Sequence, residues 1–508
     1  MKVLAMYLPQ FHRVKENDQW WGEGFTEWEA VKNAEKLFDM HYQPRIPQNY
    51  NYYDLLDKDT MLWQAALMKK YSVDGMCMYH YWFKDGRKIL EKPAENLLKW
   101  TDVQMPFCFC WANETWARSW SLIQNKNVWS SIHEQEDIIS GGVLLEQRYG
   151  HELQWKQHFE YLLPFFKDER YIKVEGKPLF LIYKTAEISC MPEMLDYWQE
   201  LACLHGLKGL YIVGSACYTN RGKGLDAELY YEPADALGSM AESCRNDRET
   251  VSAWEYDEFW KNILSKEDLK NIYFEGVVGY DDTPRRGREG NIVLHAAPEK
   301  FSHYFTELMA KSAAYGNDIV FLNAWNEWGE GMYLEPDEKY REKFLEAIPY
   351  AKKHYKNIIE KYKNRRDSFR LQDENMEQVL KRELGKNVNI LHIMEEWMKL
   401  QVKDISLAHR LKAAGYKEVA IYGYGILGRS LYEELADSDV AVKYMIDRKG
   451  EKIRTGVKIY LPSENLPEVD AVIVSAVFEY GVIYRYLKDK GISNVLSLER
   501  LIYEQELG

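Results

Sequence analysis

Eight short, continuously apolar runs, separated by longer stretches, constrain the fold of this chain more than any other feature of its first 325 residues. The runs are VLAMYLP (3–9), GMCMYHYW (75–82), PFCFCWA (106–112), PLFLIYK (178–184), GLYIVGSA (209–216), AELYYEP (227–233), FEGVVGY (274–280) and DIVFLNAW (318–325). A strand with one wet face alternates apolar and polar residues, whereas a parallel strand covered on both faces is apolar throughout. Amphipathic segments such as DTMLWQAALMKKY (59–71) and PEKFSHYFTELMAKSAAYG (298–316) lie between the runs and supply the covering helices. Eight strand–helix units in about 350 residues predict an α/β fold of the (β/α)8 TIM barrel type with long loops. A large doubly wound sheet is the competing architecture, and no glycine-rich fingerprint opens the first unit to support it.

Beyond the barrel, read as residues 1–355, the pattern changes twice. Residues 356–412 are charged and helical, as in MEQVLKREL, and read as a connector. Residues 413–508 read as a small Rossmann-like α/β domain. There EVAIYGYGILGRSLYEEL gives a strand, a glycine-rich turn and a helix, and AVKYMID ends a second strand at Asp447. Gly423, Gly425 and Gly428 make G-x-G-x-x-G in the right context, with Asp447 about 20 residues on, where a ribose hydroxyl would bind. A domain this short has no room for a complete dinucleotide site. It is similar to small modules appended to surface-polysaccharide enzymes. Nucleotide or nucleotide-sugar binding and a docking role without ligand both remain open for it.

Composition narrows the chemistry. Seventeen Trp and 37 Tyr exceed the needs of a core, because their N–H and O–H groups sit best at half-wet surfaces such as sugar clefts. An aromatic-rich core is the plainer alternative. A net charge of −13 excludes the basic face that nucleic acid requires. Seven cysteines without regular spacing read as buried free thiols in a reducing compartment. Met1 and Lys2 run directly into an apolar stretch too short for a signal-peptide core. No apolar stretch reaches the roughly 20 residues of a membrane span. The expectation is a cytoplasmic protein.

The densest chemistry is FLNAWNEWGEGMYLEP (321–336), where an apolar strand ends in Asn326, Glu327, Glu330 and Glu335 interleaved with Trp325, Trp328 and Tyr333. Strand C-termini form the active face of such barrels. Glu327 and Glu330 would point oppositely on a continuing strand, but Gly329 and Gly331 let the chain turn and aim both inward. Glycosidic chemistry needs two such groups, one protonated and one ionised. Solvated loop glutamates are the alternative. Four further clusters follow other strands. ENDQWWGEGFTEWEAV and HYQPRIP hold Trp20, Trp21, Glu27, Trp28, His41, Gln43 and Arg45; YHYWF holds His80 and Tyr81. WANETWARSW holds Trp111, Asn113, Glu114, Trp116 and Arg118, and GYDDTPRRG holds Tyr280, Asp281, Asp282 and Arg285. Polar–aromatic clusters at several strand ends are the pattern of a sugar pocket. The scattered histidines have no metal-ligand spacing, so no metal and no cofactor is expected for the barrel.

These segments, with LPQFH and DERYIKVEGKPLFLIY, resemble the WbsX-type family of glycosyltransferase-like proteins of lipopolysaccharide and capsule clusters, related to the endo-α-mannosidase family of glycoside hydrolases. The resemblance covers essentially residues 1–350. It implies a retaining mechanism in which Glu330 is the general acid. Glu327 is then the base that helps the substrate's own 2-hydroxyl attack C1. It places Asp282 and Arg285 at the sugar. In the mannosidase relatives the motif reads N-E-W-H-E-G-T-x-I-E-P, so Gly329 stands here in place of His and Met332 in place of Thr. The implied partners are an oligosaccharide or polysaccharide substrate and enzymes of surface-glycan assembly. Two other classes stay in view: a glycan-binding protein without catalysis, and an oxidoreductase centred on the C-terminal G-x-G-x-x-G.

Overall fold

The computed structural model describes residues 1–83, 86–117, 143–215, 224–240, 245, 251–267, 271–448 and 456–503. The chain forms two compact units, Met1–Arg370 and Leu371–Gly508, divided within the helix Ile359–Val402.

In the first unit nine strands pair in parallel. They are β1 (Lys2–Tyr7), β2 (Gly75–His80), β3 (Phe107–Trp111), β4 (Lys177–Ile182), β5 (Tyr211–Ser215), β6 (Ala227–Leu229), β7 (Ile272–Tyr273), β8 (Glu275–Val277) and β9 (Ile319–Asn323). Their order in the sheet is β7-β6-β5-β4-β3-β2-β1-β9-β8. Only Phe274 separates β7 from β8, and its carbonyl accepts the Phe321 N–H at 3.1 Å. The two ends of the sheet are thus consecutive pieces of chain, and the sheet curls into a nearly closed parallel barrel of the (β/α)8 kind.

Burial on both faces explains the unbroken apolar runs: β3 and β9 are buried at every position. Helices such as Lys58–Lys70 and Pro298–Ala314 connect the strands. Cys77, Cys108 and Cys110 are buried thiols in this core, whereas Cys203 is exposed. The expectation of buried cysteines fails at Cys203 because it ends the wet face of the helix Met191–Leu204. Cys217 and Cys244 lie outside the described residues.

Two asparagines tie neighbouring strand ends together. The Asn326 side chain accepts the Leu8 N–H at 2.8 Å and donates to the Leu8 carbonyl at 3.0 Å. Asn113 does the same to Lys184, at 2.7 and 2.9 Å. Each amide mimics a peptide and extends the ladder one rung past the strand.

The second unit holds β10 (Glu418–Tyr422), β11 (Ala441–Ile446), β12 (Lys458–Tyr460), β13 (Ala471–Val474) and β14 (Val495–Ser497). All pair in parallel, in the order β12-β11-β10-β13-β14. A Cβ on Gly428 would lie 2.0 Å from the Gly423 carbonyl oxygen, so the close packing of the helix Ile426–Ala436 on the turn requires glycine there. The Asp447 carboxylate accepts the Tyr424 N–H at 2.8 Å and thereby fixes the turn. Among the described residues no helix is long and apolar enough to cross a membrane.

Candidate active site

At the C-terminal ends of the barrel strands lies a cleft of about 490 Å³. Its decisive wall begins where β9 ends. The chain forms a short antiparallel pair, Asn326–Glu327 with Met332–Tyr333, closed by a single 3-10 turn, Trp328–Glu330. Gly331 turns the chain in the left-handed region at φ 64°, which a residue with a Cβ enters only at a cost. Glu327 and Glu330 consequently reach the same cleft.

One arginine organises the wall. Arg285 donates through Nε to Glu27 at 2.6 Å and through Nη2 to Glu327 at 3.0 Å, while Nη1 bonds Glu330. Three carboxylates thus share one guanidinium whose fork geometry suits such multiple contacts. Gly329 serves space rather than conformation. A Cβ there would lie 2.0 Å from Glu27 Oε1 and 2.8 Å from Arg285 Nε.

The prediction is that Gly329→His separates the Glu27–Arg285 pair. Displacements near 1 Å cost about 10²-fold in rate, so turnover should fall on that scale while circular dichroism stays native. Unchanged turnover would mean that the pair can shift without consequence.

Burial and like charge set the protonation of the cleft. Burial pushes the Glu327 carboxyl to about 8, with Glu330 and Glu27 adding and Arg285 opposing. Burial, reinforced by Glu330, raises Asp282 to about 6, although the Tyr280 hydroxyl donates to it at 3.0 Å. Glu114 is raised by burial despite its 2.8 Å ion pair with Lys184. An acid whose folded pKa lies above its unfolded value binds more protons when folded, so stability falls as pH rises between the two. For Glu327 that window runs from about 4.3, the unfolded value, to about 8. Glu327→Gln should therefore raise Tm at pH 7–8 and leave it unchanged near pH 4. Thermal melts across this range test the sign.

Of the residues named from the sequence, Trp21, Glu27, Tyr81, Glu114, Trp116, Tyr280, Asp282, Arg285, Glu327 and Glu330 line the cleft together. Others lie behind its wall, each held by a structural partner. The Trp325 and Trp328 indoles donate to Glu335 at 2.9 and 2.8 Å, and Tyr53 and Gln64 add two more donors to the same carboxylate. Glu335 is a buried acceptor for the loops rather than a contact for substrate. Trp28 donates to the Tyr53 carbonyl and Trp111 to that of Trp82. Asn113 and Asn326 are the strand ties. His80 alternates with Tyr79 and Tyr81 on β2 and its end, so it faces outward. There its ring nitrogen meets that of His158 at 2.8 Å, and burial lowers it to about 3. These eight residues were expected at the sugar, and strand alternation together with the hydrogen-bond needs of buried indoles and amides places them elsewhere. Arg118 lies outside the described residues.

The cleft also contains Tyr79, Tyr183, Lys184, Tyr231 and Asn323, which sequence reasoning passed over. The hydroxyls of Tyr79 and Tyr231 bond each other. Each of the five stands within two residues of a strand's C-terminal end, and that position was the available signal.

The model of the glycosyltransferase WbsX family matches residues 3–348. The chain belongs to the WbsX family. The matched WbsX segment lies wholly within the barrel unit and includes both glutamates. The uncharacterized protein WxcX of Xanthomonas campestris pv. campestris (strain B100) is 30% identical over 361 residues, covering 69% of this chain and 49% of the relative. A second WxcX, from strain ATCC 33913, is likewise 30% identical, over 359 residues. The chain spans about half the length of the curated relatives it matches. Among solved structures, a GH99 endo-alpha-mannosidase from Bacteroides thetaiotaomicron is similar at 13% identity and a TM-score of 0.41, over 70% of this chain and 97% of that one.

Proposed function

We propose that the barrel is a carbohydrate-active enzyme that makes or cleaves glycosidic bonds by a retaining, two-glutamate mechanism in bacterial surface-polysaccharide metabolism. The observation that carries this reading is the meeting of Glu327 and Glu330 at Arg285 on the wall of an aromatic-lined cleft. Pyranose C–H faces stack on such rings, and the flanking carboxylates accept sugar hydroxyls. One carboxyl protonates the departing oxygen. The other, ionised, either attacks C1 or removes the proton of a neighbouring hydroxyl that does. The family resemblance assigns the acid to Glu330. The electrostatics of the free site favour the reverse, because burial holds the proton on Glu327.

Charge also bears on the donor. Among the described residues the cleft presents Glu27, Glu114, Asp282, Glu327 and Glu330 against Lys184, Arg285 and Arg286. Every one of those cations already faces a carboxylate: Arg285 three of them, Lys184 Glu114, and Arg286 Asp282 at 3.4 Å. Among the described residues, a nucleotide diphosphate would enter a field of its own sign without a cation to spare. A glycoside donor with a neutral sugar fits this cleft better. Mass spectrometry of products from wild type and Glu330→Gln decides, with α-linked manno-configured oligosaccharides given with and without nucleotide sugars. Shorter or rearranged sugars formed without nucleotide, and lost in the variant, support this reading. Extension only with a nucleotide sugar would replace it with a nucleotide-dependent transferase.

For the second unit the proposal is a Rossmann-like module taking a nucleotide or nucleotide-sugar at Gly423, Gly425 and Gly428, beside Asp447. A Cβ on Gly425 would meet nothing within 4 Å, which leaves the start of the helix open to a phosphate. Calorimetry with a nucleotide panel tests it, and no heat with any of them would favour a docking role.

A further inference from the structure

We infer that the reverse face of the catalytic turn carries a second saccharide site, selective for an anionic sugar residue held by Arg45 and Lys339. Residues alternate across the wall. Tyr280, Asp282 and Met332 line the cleft, whereas Asp281, Gly331 and Tyr333 line a separate cavity of about 450 Å³. That volume lies in the range of small-ligand sites.

Two cations in this cavity have capacity left. Arg45 donates through Nη1 to the Gly331 carbonyl at 3.1 Å and reaches Asp281 only at 3.4 Å, and its Nε has no partner. Lys339 Nζ stands 4.3 Å from the Tyr42 ring centre and 4.6 Å from that of Tyr340. It forms no ion pair with any described residue. Asp281 and Asp337 both lie close enough to Arg45 to attract it, and both are already engaged by other donors: Asp337 accepts from the Tyr333 hydroxyl at 2.8 Å and the Tyr42 hydroxyl at 3.2 Å. Asp281 is saturated by His41 at 2.9 Å, Gln43 at 2.8 Å and the Thr283 hydroxyl at 2.6 Å. Asp39 is fully exposed beside Lys36, and His295 is held by Glu255.

A fork donor, a lysine and two tyrosine rings around one cavity match a sugar ring bearing a carboxylate or phosphate: the rings take the C–H face and the cations take the oxyanion. The acid-rich cleft would repel the same residue. Each cavity therefore selects a different sugar unit. Because Arg45 holds the carbonyl of Gly331, next to Glu330, an occupant here bears directly on the catalytic turn.

The test is calorimetry on the full chain with three probes: an oligogalacturonate, a neutral oligosaccharide of equal length, and inorganic phosphate. Wild type should bind the oligogalacturonate. Lys339→Ala, a change at an exposed side chain, should weaken binding about tenfold, or 1.4 kcal/mol. Arg45→Lys should weaken it further, and Glu330→Gln should leave it intact. Persistence in Glu330→Gln separates this proposal from the reading of the cleft, since it does not require turnover. Loss in Glu330→Gln would place the ligand in the cleft and overturn the proposal. Indifference to Lys339→Ala, equal binding of the neutral chain, or phosphate binding as tightly as the sugar acid would overturn it as well.

Discussion

Glu330→Gln and Glu327→Gln should each lower kcat by roughly 10²–10⁴-fold, the range that a positioned acid or base supplies. Both changes preserve size, and their stability effects should diverge from their activity effects. Glu327 is forced toward protonation by burial, so its amide should stabilise the fold at neutral pH while destroying turnover. A loss of rate accompanied by a higher Tm cannot come from misfolding. The same pair of variants settles which group donates the proton. If Glu327 is the acid, Glu327→Gln should recover on aryl glycosides with good leaving groups, which need no protonation, and Glu330→Gln should not. The family resemblance predicts the opposite pattern. Equal, undiminished turnover in both variants would remove the two-glutamate reading entirely.

The second large effect is expected at Arg285. Arg285→Met leaves Glu27, Glu327 and Glu330 facing one another without their shared cation. Removing one partner of a buried ionic cluster costs about 3–5 kcal/mol. The dependence on pH is the sharper test. Without the arginine, which opposes the upward push on Glu327, that carboxyl is raised further, so the folded state holds an extra proton and the penalty grows with pH above about 4.3. Near pH 4 Glu327 is largely neutral in either state, and the variant should approach wild type. Thermal denaturation from pH 4 to 8 measures this. A loss independent of pH would show that Arg285 acts through packing alone.

The barrel was legible because a parallel strand buried on both faces leaves a mark no other element leaves. All eight predicted runs contain barrel strands, and a ninth short strand, β7, which was not predicted, lies just before the seventh run. The glutamates were legible through their glycines, but the reason for Gly329 was not. It depends on Glu27 and Arg285, which are 258 residues apart in sequence. The tryptophans misled for the same reason that made them conspicuous. An indole N–H next to acidic residues reads as a sugar contact, yet Trp325 and Trp328 spend theirs on buried Glu335. Tyr231 and Lys184 were missed because the eye follows clusters, whereas a barrel selects by position at each strand's C-terminal end.

The two asparagine ties bear on how the molecule behaves in time. The Leu8 and Lys184 amides sit just past their strands, where loop protons ordinarily exchange with solvent quickly. Here each is bonded by a side chain that also holds the adjacent carbonyl. Their deuterium uptake should keep pace with the core strands rather than with the surrounding loops. The floor beneath the glutamates would then open only with the barrel itself, leaving access and release to motions of the rim.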